Sequence, residues 1–211
     1  MKKKIAILGS TGSIGKSLMS IIGVNKNIKI ELLSSNTNTR QLIKQAKKFN
    51  VKNLIITDPV KFTLINKRYS KYYKIYNNFD NFDKIFKSKI DYAMNAIVGF
   101  SGLKPTLKII KHTKKIAIAN KESIICGWNL IQNELNKNKT EIIPVDSEHF
   151  SIWSLLNNYK IKKNRNVENL IENIVITASG GPFLNTQLKD FKKIKIKNAI
   201  KHPTWKMGKK I

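Results

Sequence analysis

Asp146, Ser147 and Glu148 follow one another at the end of an apolar run, in IIPVDSEHF (residues 142–150). Carboxylates two positions apart point to the same side of an extended chain. Such a pair can share a hard divalent cation, Mg²⁺ or Mn²⁺, with the remaining oxygen ligands supplied by substrate, water or other residues. The same acids can instead cap a helix that begins there, because carboxylates suit the unpaired N–H groups of a first turn. Spacing alone leaves both readings open. His149 is expected to be a helix-start residue rather than a ligand.

A second chemical stretch opens the chain. In ILGSTGSIGKS (7–17), Gly9, Gly12 and Gly15 stand three apart, directly after the apolar run Ile5–Leu8. A strand, then G-x-x-G-x-x-G, then a helix is the pattern of a dinucleotide-binding turn. Gly9 permits the tight turn, Gly12 lets a pyrophosphate approach the backbone, and Gly15 lets the helix pack on the strand. The N–H groups that start the helix, near Ile14, then face the phosphates, and Thr11 and Ser13 add hydroxyl donors. A Gly- and Ser-rich turn with no ligand is the competing reading. A P-loop is excluded, because G-x-x-x-x-G-K-[ST] needs a glycine where Ser10 stands.

The second strand-like run ends in LLSSNTNTR (32–40). NAD-binding folds usually carry an acid there for the ribose 2′-OH. Here Ser34, Ser35, Asn36, Thr37, Asn38 and Arg40 offer donors, and Glu31 comes too early. A 2′-phosphate suits this turn better, so NADP(H) is the expected cofactor. A solvated Asn- and Thr-rich turn competes with that reading. Two further apolar runs end in small or charged residues. ITASGGPF (176–183) places Ser179 beside bare backbone, and ANKES (119–123) places Asn120, Lys121 and Glu122 at a strand end, where a lysine can bind an anion. His112 reads as a helix-surface histidine.

Positioning these residues requires alternating elements. β-Branched apolar runs occur at 4–8, 28–34, 53–57, 91–97, 115–119, 141–145 and 174–178. Segments with helical spacing, 40–49, 102–112 and 122–137, lie between them. Strands alternating with helices predict an α/β fold, a Rossmann-like doubly wound parallel sheet with helices on both faces. Residues 61–89 resist assignment. Residues 157–169, polar and lysine-rich, read as a surface excursion, with a domain change near Phe150. The expected division is residues 1–149, binding the dinucleotide, and 150–211, the first part of an incomplete second domain.

The formal net charge is +27, which raises the question of nucleic acid. Of the 40 basic residues only Arg40, Arg68 and Arg165 are arginine, the preferred base and phosphate reader. The lysines are spread along the whole chain, as solvated surface, so no nucleic-acid partner is expected. The single cysteine, Cys126, cannot form an internal disulfide, which fits a reducing compartment. No run approaches the ~20 apolar residues of a membrane span, and the start lacks a secretory h-region. A cytoplasmic protein without a membrane partner is expected.

Together, ILGSTGSIG, ANKES, PVDSEH, SGGPF and HPTWKMGKKI resemble the 1-deoxy-D-xylulose 5-phosphate reductoisomerase family, in consistent order from Ile5 to Ile211. The resemblance implies an NADPH- and divalent-metal-dependent oxidoreductase of the non-mevalonate isoprenoid pathway. It would rearrange 1-deoxy-D-xylulose 5-phosphate and reduce the product to 2-C-methyl-D-erythritol 4-phosphate, as a homodimer when full length. It further implies that Thr11, Gly12, Ser13 and Ile14 line the NADPH pyrophosphate, with Asn36 and Thr37 near the adenosine ribose phosphate. The family usually has a basic residue in that turn. Asn120 and Glu122 would touch the cofactor, and Gly208 its nicotinamide end. Asp146 and Glu148 would hold the metal. Lys121, Ser147, Glu148, Ser179 and His202 would touch the substrate, with Lys121, Asp146 and Glu148 catalytic, and Trp205 and Met207 would lie in a flap over it. In the family, a third metal-ligating Glu, an Asn-Lys pair and a phosphate-binding Ser come soon after GKKI. The chain given stops before them, so it is expected to hold an α+β catalytic domain only in truncated form, with little or no turnover. A non-catalytic NADP-binding remnant is the alternative.

Overall fold

The structure is a computed structural model. It describes residues 2–23, 25, 27–163, 171–175 and 180–201, without the side chains of 159–163. Seven strands form one sheet in the order β4-β3-β2-β1-β5-β6-β7, with every neighbouring pair parallel. They are β1 (Lys3–Leu8), β2 (Ile28–Ser35), β3 (Asn53–Ile56), β4 (Lys74–Tyr76), β5 (Ile90–Asn95), β6 (Thr113–Ile118) and β7 (Glu141–Pro144). The helices between them are α1 (Ser13–Ile22), α2 (Thr39–Lys48), α3 (Pro59–Tyr69), α4 (Phe82–Ile85), α5 (Leu103–Ile110) and α6 (Lys121–Asn138). Helix α7 (Ser147–Lys163) and the short α8 (Ile196–Ala199) follow.

Strand β1 shows why the sheet is buried on both sides. Ile5 and Ile7 join Met19, Leu42 and Ala46 on the α1–α2 face. Ala6 and Leu8 join Phe82, Leu103, Ile109 and Ile131 on the α4–α6 face. A strand covered on both faces must be apolar throughout, so β1 reads as a run rather than an alternation. The expected doubly wound sheet is therefore present. Helices α2 and α3 start where the chain supplies a cap. Asn38 Oδ1 accepts from the Gln41 N–H, and Asp58 Oδ1 accepts from the Lys61 N–H, with Pro59 at the first helical position. Residues 61–89, unassigned from sequence, hold most of α3, then β4, a 3₁₀ turn (Phe79–Asn81) and α4.

Two expectations need correction. Residues 157–163 of the expected surface excursion are helical, because α7 continues through them to Lys163, and 164–169 lie outside the described residues. No Gly or Pro stands between Ser147 and Lys163 to stop a helix once begun. His112 is not on a helix surface: it follows α5, is buried, and packs against Phe82 and Phe86 at ring distances of 5.9 and 5.6 Å. The run expected as a strand over 174–178 has no regular structure at residues 174 and 175, and the rest lies outside the described residues.

The chain divides into two compact units, residues 1–157 and 158–211. The second contains a 3₁₀ segment (Leu188–Lys193) and α8. Among the described residues no helix is long and apolar enough to cross a membrane.

Candidate functional site

The strand order reverses direction between β1 and β5, since the chain builds outward from β1 to β4 and then returns to β5. In open α/β sheets, ligands bind outside the carboxyl ends of the strands at such a point. A cleft of about 390 Å³ opens there, lined by Gly9, Thr11, Gly12, Ser34, Ser35, Asn36, Thr57, Phe79, Ala96, Ile97, Val98 and Ser101.

The glycine turn is tied to β2 by hydroxyls. The Gly9 N–H donates to Ser34 Oγ at 2.9 Å, and Thr11 Oγ1 and Ser35 Oγ share a bond of 2.8 Å. Gly9 has φ +78°, and a Cβ there would meet the Ala96 carbonyl oxygen at 2.8 Å. Gly15 is closed to any side chain, with Ser10 Cα 2.6 Å from where a Cβ would sit. Gly12 is different: a Cβ there would meet only ordinary contacts, 3.5 Å or more away. The protein itself therefore does not require glycine at position 12, whereas a ligand pressed against the backbone would.

Helix α1 points the same way. It has no side-chain cap and no acid in its first turn, whereas α2, α3 and α6 are capped by Asn38, Asp58 and Asn120. Its first N–H groups, at the exposed Ser13 and Ile14, are left for an anion. These features fit the pyrophosphate of a dinucleotide.

The loop after β5 is held by two buried asparagines. Asn95 accepts from the Ile97 N–H and donates to the Gly102 carbonyl oxygen at 2.9 Å. Asn120, at the end of β6, donates to the Ile97 carbonyl oxygen at 2.7 Å and accepts from the Ser123 N–H. Both ends of the Asn120 amide are thus engaged in shaping the loop and capping α6. Lys121 is exposed at the first residue of α6, and Glu122 is half-buried beside it.

Asp146 follows β7. Its Oδ1 accepts from the His149 N–H at 2.9 Å, and the His149 ring Nδ1 lies 2.7 Å from both carboxylate oxygens. Asp146 therefore caps α7, with Ser147 and Glu148 exposed in its first turn. The helix-start place expected for His149 is the one it has. Two oxygen-donor acids within one turn are a chemically suitable start for a hard cation. Among the described residues no group of three or more His, Cys, Asp and Glu side chains is arranged to hold a metal ion by itself.

Along the carboxyl edge the order in space is thus Asn36 after β2, the glycine turn after β1, Ile97 after β5, Asn120–Glu122 after β6 and Asp146–Glu148 after β7. Sequence reading found every one of these except the β5 loop and the cleft residues Thr57 and Phe79. The β5 loop was readable in principle as the end of an apolar run, but its place beside β1 follows only from strand order. Thr37 does not line the cleft. Ser179, His202, Trp205, Met207 and Gly208 lie outside the described residues.

The 1-deoxy-D-xylulose 5-phosphate reductoisomerase family model matches residues 5–127, and the model of that enzyme's C-terminal domain matches residues 142–211. A curated 1-deoxy-D-xylulose 5-phosphate reductoisomerase of Pelagibacter ubique is 61% identical over 213 residues, covering 99% of this chain and 53% of the relative. One from Wolbachia pipientis is 39% identical over 212 residues, covering 99% and 52%. Among solved structures, the reductoisomerase from Zymomonas mobilis in complex with NADPH superimposes with a TM-score of 0.83 at 30% identity, covering 95% of this chain and 52% of that one. A DOX-P reductoisomerase in complex with NADPH, fosmidomycin and magnesium gives 0.82 at 29% identity, covering 98% and 52%. The chain spans about half the length of the curated relatives it matches.

Proposed function

This chain belongs to the 1-deoxy-D-xylulose 5-phosphate reductoisomerase family, and we propose that it serves the NADPH- and divalent-metal-dependent conversion of 1-deoxy-D-xylulose 5-phosphate to 2-C-methyl-D-erythritol 4-phosphate. The observation that carries this reading is the order of groups along one sheet edge. The anion-ready turn, the Asn120–Lys121–Glu122 segment and the Asp146–Glu148 pair follow one another across β1, β5, β6 and β7. Neighbouring strands lie about 4.8 Å apart, so three steps span roughly 14 Å. An extended dinucleotide seated on the β1 turn and running along this edge ends near the two carboxylates.

In this reading residues 1–149 bind NADPH and residues 150–211 begin the catalytic domain. Thr11, Gly12, Ser13 and Ile14 hold the pyrophosphate through backbone N–H groups and hydroxyls. Asn36 faces the adenosine ribose, with Thr37 next to it in the turn but outside the cleft lining. Asn120 sets the β5 loop against the cofactor, and Glu122 and Gly208 contact it. Asp146 and Glu148 hold Mg²⁺ or Mn²⁺, and Lys121, Ser147, Glu148, Ser179 and His202 hold the sugar phosphate. When bound, NADPH would supply the hydride and the cation would polarise the substrate carbonyl as a Lewis acid. The chain's own contribution is positioning, since aligned reactants react as if at very high effective concentration. We place the enzyme in the cytoplasm as a homodimer.

The test is to express the uninterrupted reading frame, remove metal, and follow NADPH oxidation with 1-deoxy-D-xylulose 5-phosphate. Oxidation that requires substrate and is restored by Mg²⁺ or Mn²⁺ is expected. Tight NADPH binding with no turnover under either metal would instead make the protein a cofactor-binding remnant. Residues 1–211 expressed alone are expected to show little or no turnover.

A further inference from the structure

Strands β2 and β3 are paired to their ends, Ser35 opposite Ile56, and the Thr57 N–H continues the ladder by donating to the Ser35 carbonyl oxygen at 3.2 Å. This pairing sets Thr57 beside Asn36 at the mouth of the cleft. Thr57 Oγ1 donates to Asn36 Oδ1 at 3.2 Å. Among the described residues Asn36 Nδ2 has no protein partner, and Asn36 is exposed. Ser34 Oγ accepts from the Gly9 N–H, Ser35 bonds Thr11, and Asn38 Oδ1 accepts from the Gln41 N–H; of the two asparagines only Asn36 lines the cleft. Among the described residues no carboxylate lines the cleft. Asp58, next to Thr57, is engaged with the Lys61 N–H at the start of α3, and Asp80, next to Phe79, pairs with Lys108.

A carboxamide has an accepting end and a donating end, whereas a hydroxyl can serve either, so the group met at one end selects what the hydroxyl does at the other. A hydroxyl that donates to Oδ1 leaves Nδ2, with two N–H groups, for the cleft. A phosphate accepts only, so it matches that arrangement, whereas a ribose hydroxyl is indifferent to it. We propose that Thr57 is a positioning residue for the cofactor's 2′-phosphate, holding the Asn36 amide with its donor end toward that group. This rests on the reading that the cleft takes NADPH. Arg40, the basic residue of this turn, does not line the cleft, so recognition there falls to neutral donors.

Three variants of the full-length protein test it, with NADPH, NADH and adenosine 2′,5′-bisphosphate titrated calorimetrically and folding followed by thermal melting. Thr57→Val keeps the shape and loses the hydroxyl. It should weaken NADPH and the bisphosphate about tenfold and leave NADH unchanged, the scale of one hydrogen bond to a charged group. Thr57→Ser should restore wild-type binding. Asn36→Asp retains an acceptor for Thr57 but sets a carboxylate where the donor was. It should cost NADPH about a hundredfold and leave NADH equal or tighter. An unchanged preference for NADPH over NADH in Thr57→Val overturns the proposal while the cofactor reading stands, whatever Asn36→Asp does. Failure of the wild-type protein to bind either dinucleotide overturns both. If Thr57→Val does not fold, Thr57→Ala, which also removes the hydroxyl, decides by the same comparison.

Discussion

A Cβ on Gly15 would overlap the Gly9 carbonyl oxygen and Ser10, both backbone, whereas a Cβ on Gly12 would rest in ordinary contact. The two substitutions should therefore separate folding from binding. Gly15→Ala forces the first turn of α1 away from β1 and should cost about 1–3 kcal/mol, an overpacking penalty that nothing nearby can relax. Gly12→Ala should melt as the wild type does but bind NADPH at least about tenfold more weakly, because the methyl group holds the phosphates off the N–H donors. Melting curves and a dinucleotide titration of the two proteins check this. Equal binding by Gly12→Ala would mean that the turn carries no ligand. In sequence the three glycines look alike; contacts across the chain, to Ala96 and Ser10, distinguish them.

At the scale of the element, Asp146 joins two roles that its sequence context left open. It caps α7 in the structure, and the proposed function makes the same carboxylate a metal ligand. Asparagine caps a helix about as well as aspartate does, but a neutral amide is a poor ligand for a hard cation. Asp146→Asn should therefore leave the melting temperature near that of the wild type and abolish metal-dependent turnover. Asp146→Ala should lose turnover and also about 1 kcal/mol of stability. A full-length Asp146→Asn protein that turns over normally would leave the residue a cap alone. The length of α7 shows the limit of pattern reading at this scale. Residues 157–163 lack an apolar face, so periodicity is silent there. Helical hydrogen bonding nevertheless runs on until something stops it, and neither Gly nor Pro does.

For the whole molecule, His112 links folding to pH. Burial among Phe82 and Phe86 holds its pKa below the ordinary value, against an opposing pull from Asp83, 3.6 Å from its Nε2. Lys111 and Lys89 add to the lowering. The unfolded chain therefore takes up this proton first as pH falls below about 6.5. Stability from the neutral ring is complete above that pH and is lost on acidification toward the lowered folded value. Melting temperature should thus fall between about pH 7 and 5 in the wild type, and less steeply in His112→Gln; parallel slopes would place the effect elsewhere. Local pattern was enough to establish the α/β alternation, the glycine turn after β1, the acids after β7 and the family, because each depends on residues adjacent in the chain. Tertiary structure decided the rest. Strand order placed the β5 loop beside the glycine turn, strand pairing set Thr57 against Asn36, and packing buried His112. These are contacts between residues about 20 or more apart in sequence, and only the folding of the sheet brings them within reach.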